Sequence, residues 1–389
     1  MSRKKKASAS LQFPPNAIVG SLGDFARLMS AGTEVPTEFY FAASLTIFGN
    51  QCSGGLTLKL PMSVQPRLFT VLLGESYAVK KSTALKRTVE FFDSVWSDKL
   101  DGAAPASCQR PKFLWGAGSA EGLSRCLGEN NHAILCYDEM RSLIDKSKAQ
   151  GSVLLSMAAS LFELNNWDNS TKHSSVSVRD AHLSIVGCCT TDTYAAMWTS
   201  EAIAIGLPNR LFVVLADRSE KVSWPTLPDE NELDKIRERI KAQVARLPLA
   251  LDIEPDARAR WDQWYLELSP SIHARRLDTI GFRLMGLVAV TTDKSSIDME
   301  TIETVISILD YELQVRTLTD PIDADNRVAH LEERIRRQLK AHVSLSPREL
   351  KQHTNANRDG LWAFQRAIDN LRSAGELSFD TSNAVYRWA

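Results

Sequence analysis

Three consecutive residues, Lys81, Ser82 and Thr83, stand a few positions beyond an apolar run ending in Gly74. An apolar strand, a glycine, a short polar loop and Lys-Ser-Thr opening a helical pattern form an arrangement that holds phosphate. Successive backbone N–H groups and the positive end of the helix take up phosphate oxygens. Gly74, Glu75, Ser76, Lys80 and Thr83 would line that cradle. Lys81 would reach the β and γ phosphates, and Ser82 would ligate Mg²⁺. Farther along, the apolar run 132–137 ends in Asp138 and Glu139. Asp138 would hold the same Mg²⁺ through water, and Glu139 would orient and deprotonate an attacking water. Taken together, these residues predict cleavage of a triphosphate, with ATP and Mg²⁺ as the cofactors.

The loop departs from the usual pattern at two points. Lys80 stands where glycine ordinarily precedes the lysine, and Gly74 lies one residue farther from Lys81 than the usual spacing. Glycine adopts any backbone angle freely and lysine does not. A strand-to-helix turn with a fortuitous Lys-Lys-Ser-Thr is the plainer alternative.

Companion residues follow in order. The apolar run 183–189 ends in Thr190 and Thr191, where a polar residue senses the γ phosphate or caps the next helix. Arg210 directly precedes another apolar run. It either reaches a neighbouring subunit's nucleotide as an arginine finger or is an exposed residue at a strand entrance. Arg276 and Arg283 flank the start of an apolar helix, and either would serve as a second phosphate sensor.

The elements that must position these residues are legible as short apolar runs alternating with helical stretches. Strands are predicted at 68–74, 112–115, 133–137, 182–189 and 211–215, with helices at 82–97 and 120–127. That alternation predicts an α/β fold, a mainly parallel sheet covered on both faces by helices. Residues 16–49 and 256–319 read as helical, and Pro225, Pro228 and Pro248 punctuate a charged stretch between domains. The expected division is a basic flexible arm at 1–13, a P-loop ATPase core with N-terminal helices at 14–225, a helical domain at 226–326 and a last module at 327–389.

Composition bounds the rest. The 389 residues carry a formal net charge of −1, so any nucleic-acid affinity must come from local patches rather than from the whole chain. None of the six cysteines forms a CxxC pair, which argues against zinc and for reduced thiols. The basic start, Arg3 to Lys6, has no apolar stretch behind it, so a mobile arm is expected rather than a secretory leader. No apolar run reaches membrane-span length, and a cytoplasmic protein is expected.

The last module reads as three helices and a strand pair. Ser346-Pro347 opens the second helix. The third is expected from Arg358 to Ala374, with Leu361, Phe364, Ile368 and Leu371 as its buried stripe. A hairpin around Asp380-Thr-Ser-Asn383 would complete a winged helix-turn-helix. The outward face of the third helix would carry Arg358, Trp362, Gln365, Arg366 and Arg372, types suited to base edges and phosphates. From Val328 onward ten Lys or Arg face seven Asp or Glu, so protein docking is the competing use. Lys172 and His173, in the polar stretch after Trp167, would contact a DNA backbone or form a plain hairpin turn.

The series LFTVLLGESYAVKKSTALK, AILCYDE, HLSIVGCCTT and GLPNRLFVV, over residues 14–216, resembles a family of P-loop ATPases from plasmids, phages and integrated elements. That family is often linked to primase-polymerase domains and is related to ring-forming replicative helicases of the RecA and AAA+ type. The resemblance implies an ATP-dependent DNA helicase or translocase acting as a homo-oligomer such as a hexameric ring, with DNA and a primase or other replication protein as partners. An ATP-binding initiator or adaptor with slow hydrolysis is the alternative, motivated by Lys80. A small-molecule kinase is a third, weakened by the missing acceptor site.

Overall fold

Five apolar runs become strands of one parallel sheet: β1 (Phe69–Leu73), β2 (Lys112–Leu114), β3 (His132–Tyr137), β4 (His182–Cys189) and β5 (Leu211–Leu215). The computed structural model of the chain describes residues 11–75, 78–96, 110–149, 151–170, 175–216, 221–320 and 327–388. Every residue of β1, β3, β4 and β5 is buried. Strands covered on both faces are uniformly apolar instead of alternating, which is why each was visible as a run. The fold is mixed α/β, a parallel five-stranded sheet flanked by helices, compatible with Rossmann-like and P-loop-like architectures.

The strand order is β2-β3-β4-β1-β5. Phe69 of β1 lies opposite Ile185 of β4 and Leu211 of β5, and Leu73 lies opposite Cys189 and Leu215. Because all five strands point one way, Gly74, Trp115, Asp138, Thr190 and Ala216 follow them at one edge of the sheet. Arg67, Asn131, Ala181 and Arg210 precede them near the other. The connection from β1 to β2 travels past β4 and β3, whereas the other connections step in the opposite direction. Right-handed crossovers then put those connections on opposite faces. A crevice opens where they part, beside the carboxyl end of β1, the place where open α/β sheets bind ligands.

Helix α1 (Thr37–Cys52) is buried from Phe39 to Cys52 and packs against β1, β3, β4 and α2 (Lys81–Val95). Its Asn50 Nδ2 donates to the carbonyls of Ala133 at 3.1 Å and His182 at 2.9 Å. The edge strand β5 is closed by side chains: Glu312 accepts from the Val213 N–H at 3.0 Å and Tyr311 Oη from the Leu215 N–H at 2.8 Å. Those bonds satisfy amides that an uncovered edge would leave open. Helices α3 (Leu154–Glu163) and α4 (Leu277–Thr291) reach the opposite end of the sheet through Phe162 and Arg283. A second, small parallel sheet joins Leu56–Leu58, Leu249–Ile253 and Ser296–Ile297, a pairing of distant segments that the sequence did not suggest. One hydrophobic core holds Leu72 together with Leu251, Trp261, Leu284 and Val305, so residues 11–315 form a single compact unit.

The second compact unit runs from Arg316 onward. It contains α5 (Arg327–Ala341), α6 (Pro347–His353), α7 (Leu361–Ser373) and an antiparallel pair, β6 (Leu377–Asp380) with β7 (Val385–Trp388). Leu331, Ile335, Leu339, Phe364, Ile368 and Leu371 lie in its core. Ser346 and Glu349 form a reciprocal capping box at the start of α6. The expected third helix is broken. Gly360 adopts φ +94°, a left-handed angle that separates a short helix, Ala356–Asp359, from α7. Leu361, expected in the buried stripe, is exposed instead, and Ala363 and Ala367 are buried on that face. Among the described residues no helix is long and apolar enough to cross a membrane.

Candidate functional site

Gly74 ends β1 where backbones crowd. A Cβ there would lie 2.5 Å from the Ala216 carbonyl oxygen and 2.7 Å from a Val79 methyl, so only glycine fits between the ends of β1 and β5. The chain then turns. The Glu75 carbonyl accepts the N–H groups of Ala78 at 3.1 Å and Val79 at 3.2 Å. Ser76 lies outside the described residues. Lys80 has φ −98° and ψ 63°; with φ negative, the glycine expected at this position is not required by the backbone. Its ammonium turns to Glu34 at 3.3 Å, and the same carboxylate accepts the Val222 N–H at 3.2 Å. Both contacts hold the Glu34 carboxyl below its usual range, the Val222 N–H being the larger cause.

Lys81 opens α2 and is only 8% exposed. Its Nζ donates to the Gly74 carbonyl at 2.5 Å, across the mouth of the loop. Burial lowers its pKa, opposed by the neighbouring Cys188, Glu75, Cys189 and Glu139. Lys80 supplies no side-chain cap to the helix, so the first-turn N–H groups of Lys81, Ser82 and Thr83 face whatever lies above them. Ser82 and Thr83 are exposed.

The carboxylates arrive from the neighbouring strands. Asp138 and Glu139 follow β3 and are exposed. The Cys189 thiol, at the end of β4, donates to Glu139 Oε1 at 3.5 Å. Burial raises the pKa of that thiol, with the Glu139 charge adding to the effect, so it stays protonated and able to donate. Thr191 Oγ1 donates to the Glu75 carboxylate. Thr190 caps the helix Thr191–Met197, accepting from the Thr193 N–H at 3.2 Å. Of the two threonines it is therefore Thr191 that reaches the loop.

Ser82, Thr83 and Asp138 line one open cleft of about 370 Å³, which continues along α2 past Lys86, Arg87 and Glu90, with Trp115 also in its wall. The Ser82 hydroxyl and the Asp138 carboxylate at this cavity fit a hard cation that keeps water and phosphate oxygens as its other ligands. Among the described residues no three His, Cys, Asp or Glu converge as a self-sufficient metal site.

Three arginines lie elsewhere. Arg283 is 3% exposed; it donates to the carbonyls of Arg67 and, at 2.7 Å, Phe162, and its guanidinium lies 3.7 Å from the Phe162 ring centre. Arg67 precedes β1, so Arg283 sits at the end of the sheet away from Gly74. Arg276 pairs with Glu163 of α3. Arg210 donates to the carbonyls of Ile205 at 2.7 Å and Gly206 at 2.9 Å, at the entrance of β5. Within one chain none of the three joins the loop.

In the C-terminal unit, Trp362, Gln365, Arg366 and Arg372 are exposed on one face of α7, with Asp369 accepting from Gln365 at 3.1 Å. Arg358 precedes the Gly360 break, and its side chain lies outside the described residues. Lys172 and His173 also lie outside them; the flanking strands, Trp167–Ser170 and Ser175–Val178, pair antiparallel. Residues missed by the sequence reading are Glu34, Cys189 and Trp115. Only the last had a signal, an aromatic directly at the end of a predicted strand. No family model matches the chain, and no curated protein matches it either.

Proposed function

We propose that the chain is an ATP-dependent DNA helicase or translocase of the mobile-element type its motifs resemble, working as an oligomer, with replication proteins such as a primase as partners. The observation that carries the nucleotide half is the meeting of Lys81, Ser82, Asp138 and Glu139 at the carboxyl ends of β1 and β3, beside Thr191 after β4. Three short loops at one edge of a rigid sheet bring phosphate-holding and water-activating groups together.

In this reading the first-turn N–H groups of α2 and the Lys81 ammonium hold the phosphates. Ser82 and Asp138 hold Mg²⁺, which when bound draws charge from the phosphate oxygens. Glu139, released from the Cys189 thiol, orients the attacking water and takes its proton. Arg210 acts on the nucleotide of a neighbouring subunit after leaving its own loop carbonyls. The exposed face of α7, in a winged-helix arrangement, engages DNA through Gln365, Arg366 and Arg372.

A second reading, an ATP-binding initiator or adaptor with slow turnover, is favoured by the loop's internal bonds. The N–H groups of Ala78 and Val79 are engaged by Glu75, and the Glu75 carboxylate, which accepts from Thr191, adds negative charge near Lys81 where phosphates would have to sit. Hydrolysis measured with and without single- and double-stranded DNA separates the two. The helicase reading expects DNA to raise turnover and a forked substrate to be unwound. ATP-dependent assembly without unwinding would establish the adaptor. Arg366→Ala and Arg372→Ala should weaken DNA binding while leaving DNA-free turnover unchanged; unaltered DNA affinity would remove α7 from the interface.

A further inference from the structure

At the end of β2 a large aromatic side chain stands half in solvent: Trp115 is 53% exposed. The turn that follows it is held nonetheless. Gly116 adopts φ +99°, a turn open to glycine, and the Ala117 N–H donates to Tyr137 Oη at 3.2 Å. Tyr137 is the last residue of β3, so the turn carrying the indole is tied to the strand that leads into Asp138. Helix α2 lines the same cleft with two rows at four-residue spacing, Ser82, Lys86 and Glu90 beside Thr83 and Arg87. The cleft, about 370 Å³, is of small-ligand size. Among the described residues Lys86 pairs with Glu90, at 3.9 Å, with both side chains more than half exposed, a pairing that a ligand displaces readily.

We infer that this cleft takes a nucleobase, stacked on the Trp115 indole, with an attached phosphate reaching Lys86. A flat π face one cavity's width from hydroxyls and a cation matches a base with its phosphate, whereas a purely anionic or aliphatic ligand would leave the indole unused. The inference rests on the phosphate-loop reading only for its neighbour across Ser82; the stacking site has its own ligand chemistry. The base belongs either to the nucleotide whose phosphates lie at Lys81 or to a single strand running past.

The test follows tryptophan emission of the full chain with Mg²⁺ during titration with ATP, inorganic tripolyphosphate and an oligothymidylate. Wild type is compared with Trp115→Leu and Trp115→Phe. Trp115→Leu should weaken a base-bearing ligand about tenfold and remove its share of the quenching, while Trp115→Phe keeps most of the affinity. Tripolyphosphate should bind all three proteins alike. A loss for ATP assigns the base of the nucleotide; a loss for the oligothymidylate assigns a strand. ATP and oligothymidylate affinities within about twofold of wild type in Trp115→Leu, or an equal loss for tripolyphosphate, would overturn the stacking site. Lys81→Ala run in parallel keeps the two questions apart: if it binds tripolyphosphate as wild type does, the loop reading fails while the Trp115 result stands.

Discussion

Both edges of the central sheet carry charged side chains, and they treat them in opposite ways. At the carboxyl edge Asp138 and Glu139 are exposed, and among the described residues Glu139 is touched by one weak thiol donor and Lys81 is tied by a single bond to Gly74. At the amino edge Arg67 is wholly buried, donating to the Ala181 carbonyl at 2.7 Å and Asn165 Oδ1 at 2.8 Å, and Arg283 is buried beside it. Burial lowers both pKa values, Arg67 to about 10 and Arg283 to about 9, so both remain cations at neutral pH. Residue type therefore does not separate a working group from a structural one. What separates them is whether the polar atoms are already engaged and within reach: Arg283 donates to two buried carbonyls, and the one Arg67 nitrogen without a partner among the described residues, Nε, is buried away from any ligand.

The comparison is broken most severely by Arg283→Ala. Loss of that side chain leaves two buried carbonyls and part of the Glu163 charge uncompensated, with a cost of about 3–5 kcal/mol. Urea denaturation should show the loss, and the protein that remains folded should bind ATP as before. Normal stability with lost ATP affinity would move Arg283 to the nucleotide. At the other edge, Glu139→Gln should leave ATP affinity and the unfolding midpoint in place while slowing turnover roughly a hundredfold or more; turnover near wild type would deny Glu139 its role as base.

A smaller effect belongs to the amino edge alone. His132 and His182 stack there with ring centres 4.3 Å apart. Burial, the leading cause for both, pushes their pKa values down, His132 to about 4. For His132 the Asn50 carbonyl and then Asp180 pull the other way, whereas for His182 the neighbouring His132 and then Arg67 add to the depression. The unfolded chain takes up these protons near pH 6.5 and the folded chain does not. Stability is therefore fully present above that pH and falls as pH drops toward about 4, by roughly 1.4 kcal/mol per unit for each histidine. Denaturation midpoints at pH 7 and pH 5 check it, and equal midpoints would contradict it. The smallest effect is expected from Lys80→Gly, which needs no new backbone angle. ATP affinity should barely move, and a large gain would show that Lys80 strains the loop.

Four of the five strands, β1, β3, β4 and β5, were legible because parallel strands covered on both faces are unbroken apolar runs, and the order of Gly74, Lys81, Asp138 and Thr191 followed from them. Position along the chain did not reveal which end of the sheet a residue occupies. Arg283 leads an apolar run as a phosphate sensor would, yet it lies midway along α4 and its guanidinium reaches the amino edge. Lys80 looked disruptive because its angle was invisible, and Gly360 looked helical because flanking periodicity continued across it. The thiol on Glu139 joins residues fifty positions apart through sheet pairing, which no local pattern encodes.

The central claim is that the turn after β1 holds a triphosphate although lysine stands at its expected glycine. Titration calorimetry of ATP with Mg²⁺ into the wild-type chain and into Lys81→Ala tests it directly. Saturable binding by the wild type, weakened at least tenfold in the variant, is the predicted result. Equal binding by the two proteins, or none by the wild type, would contradict it.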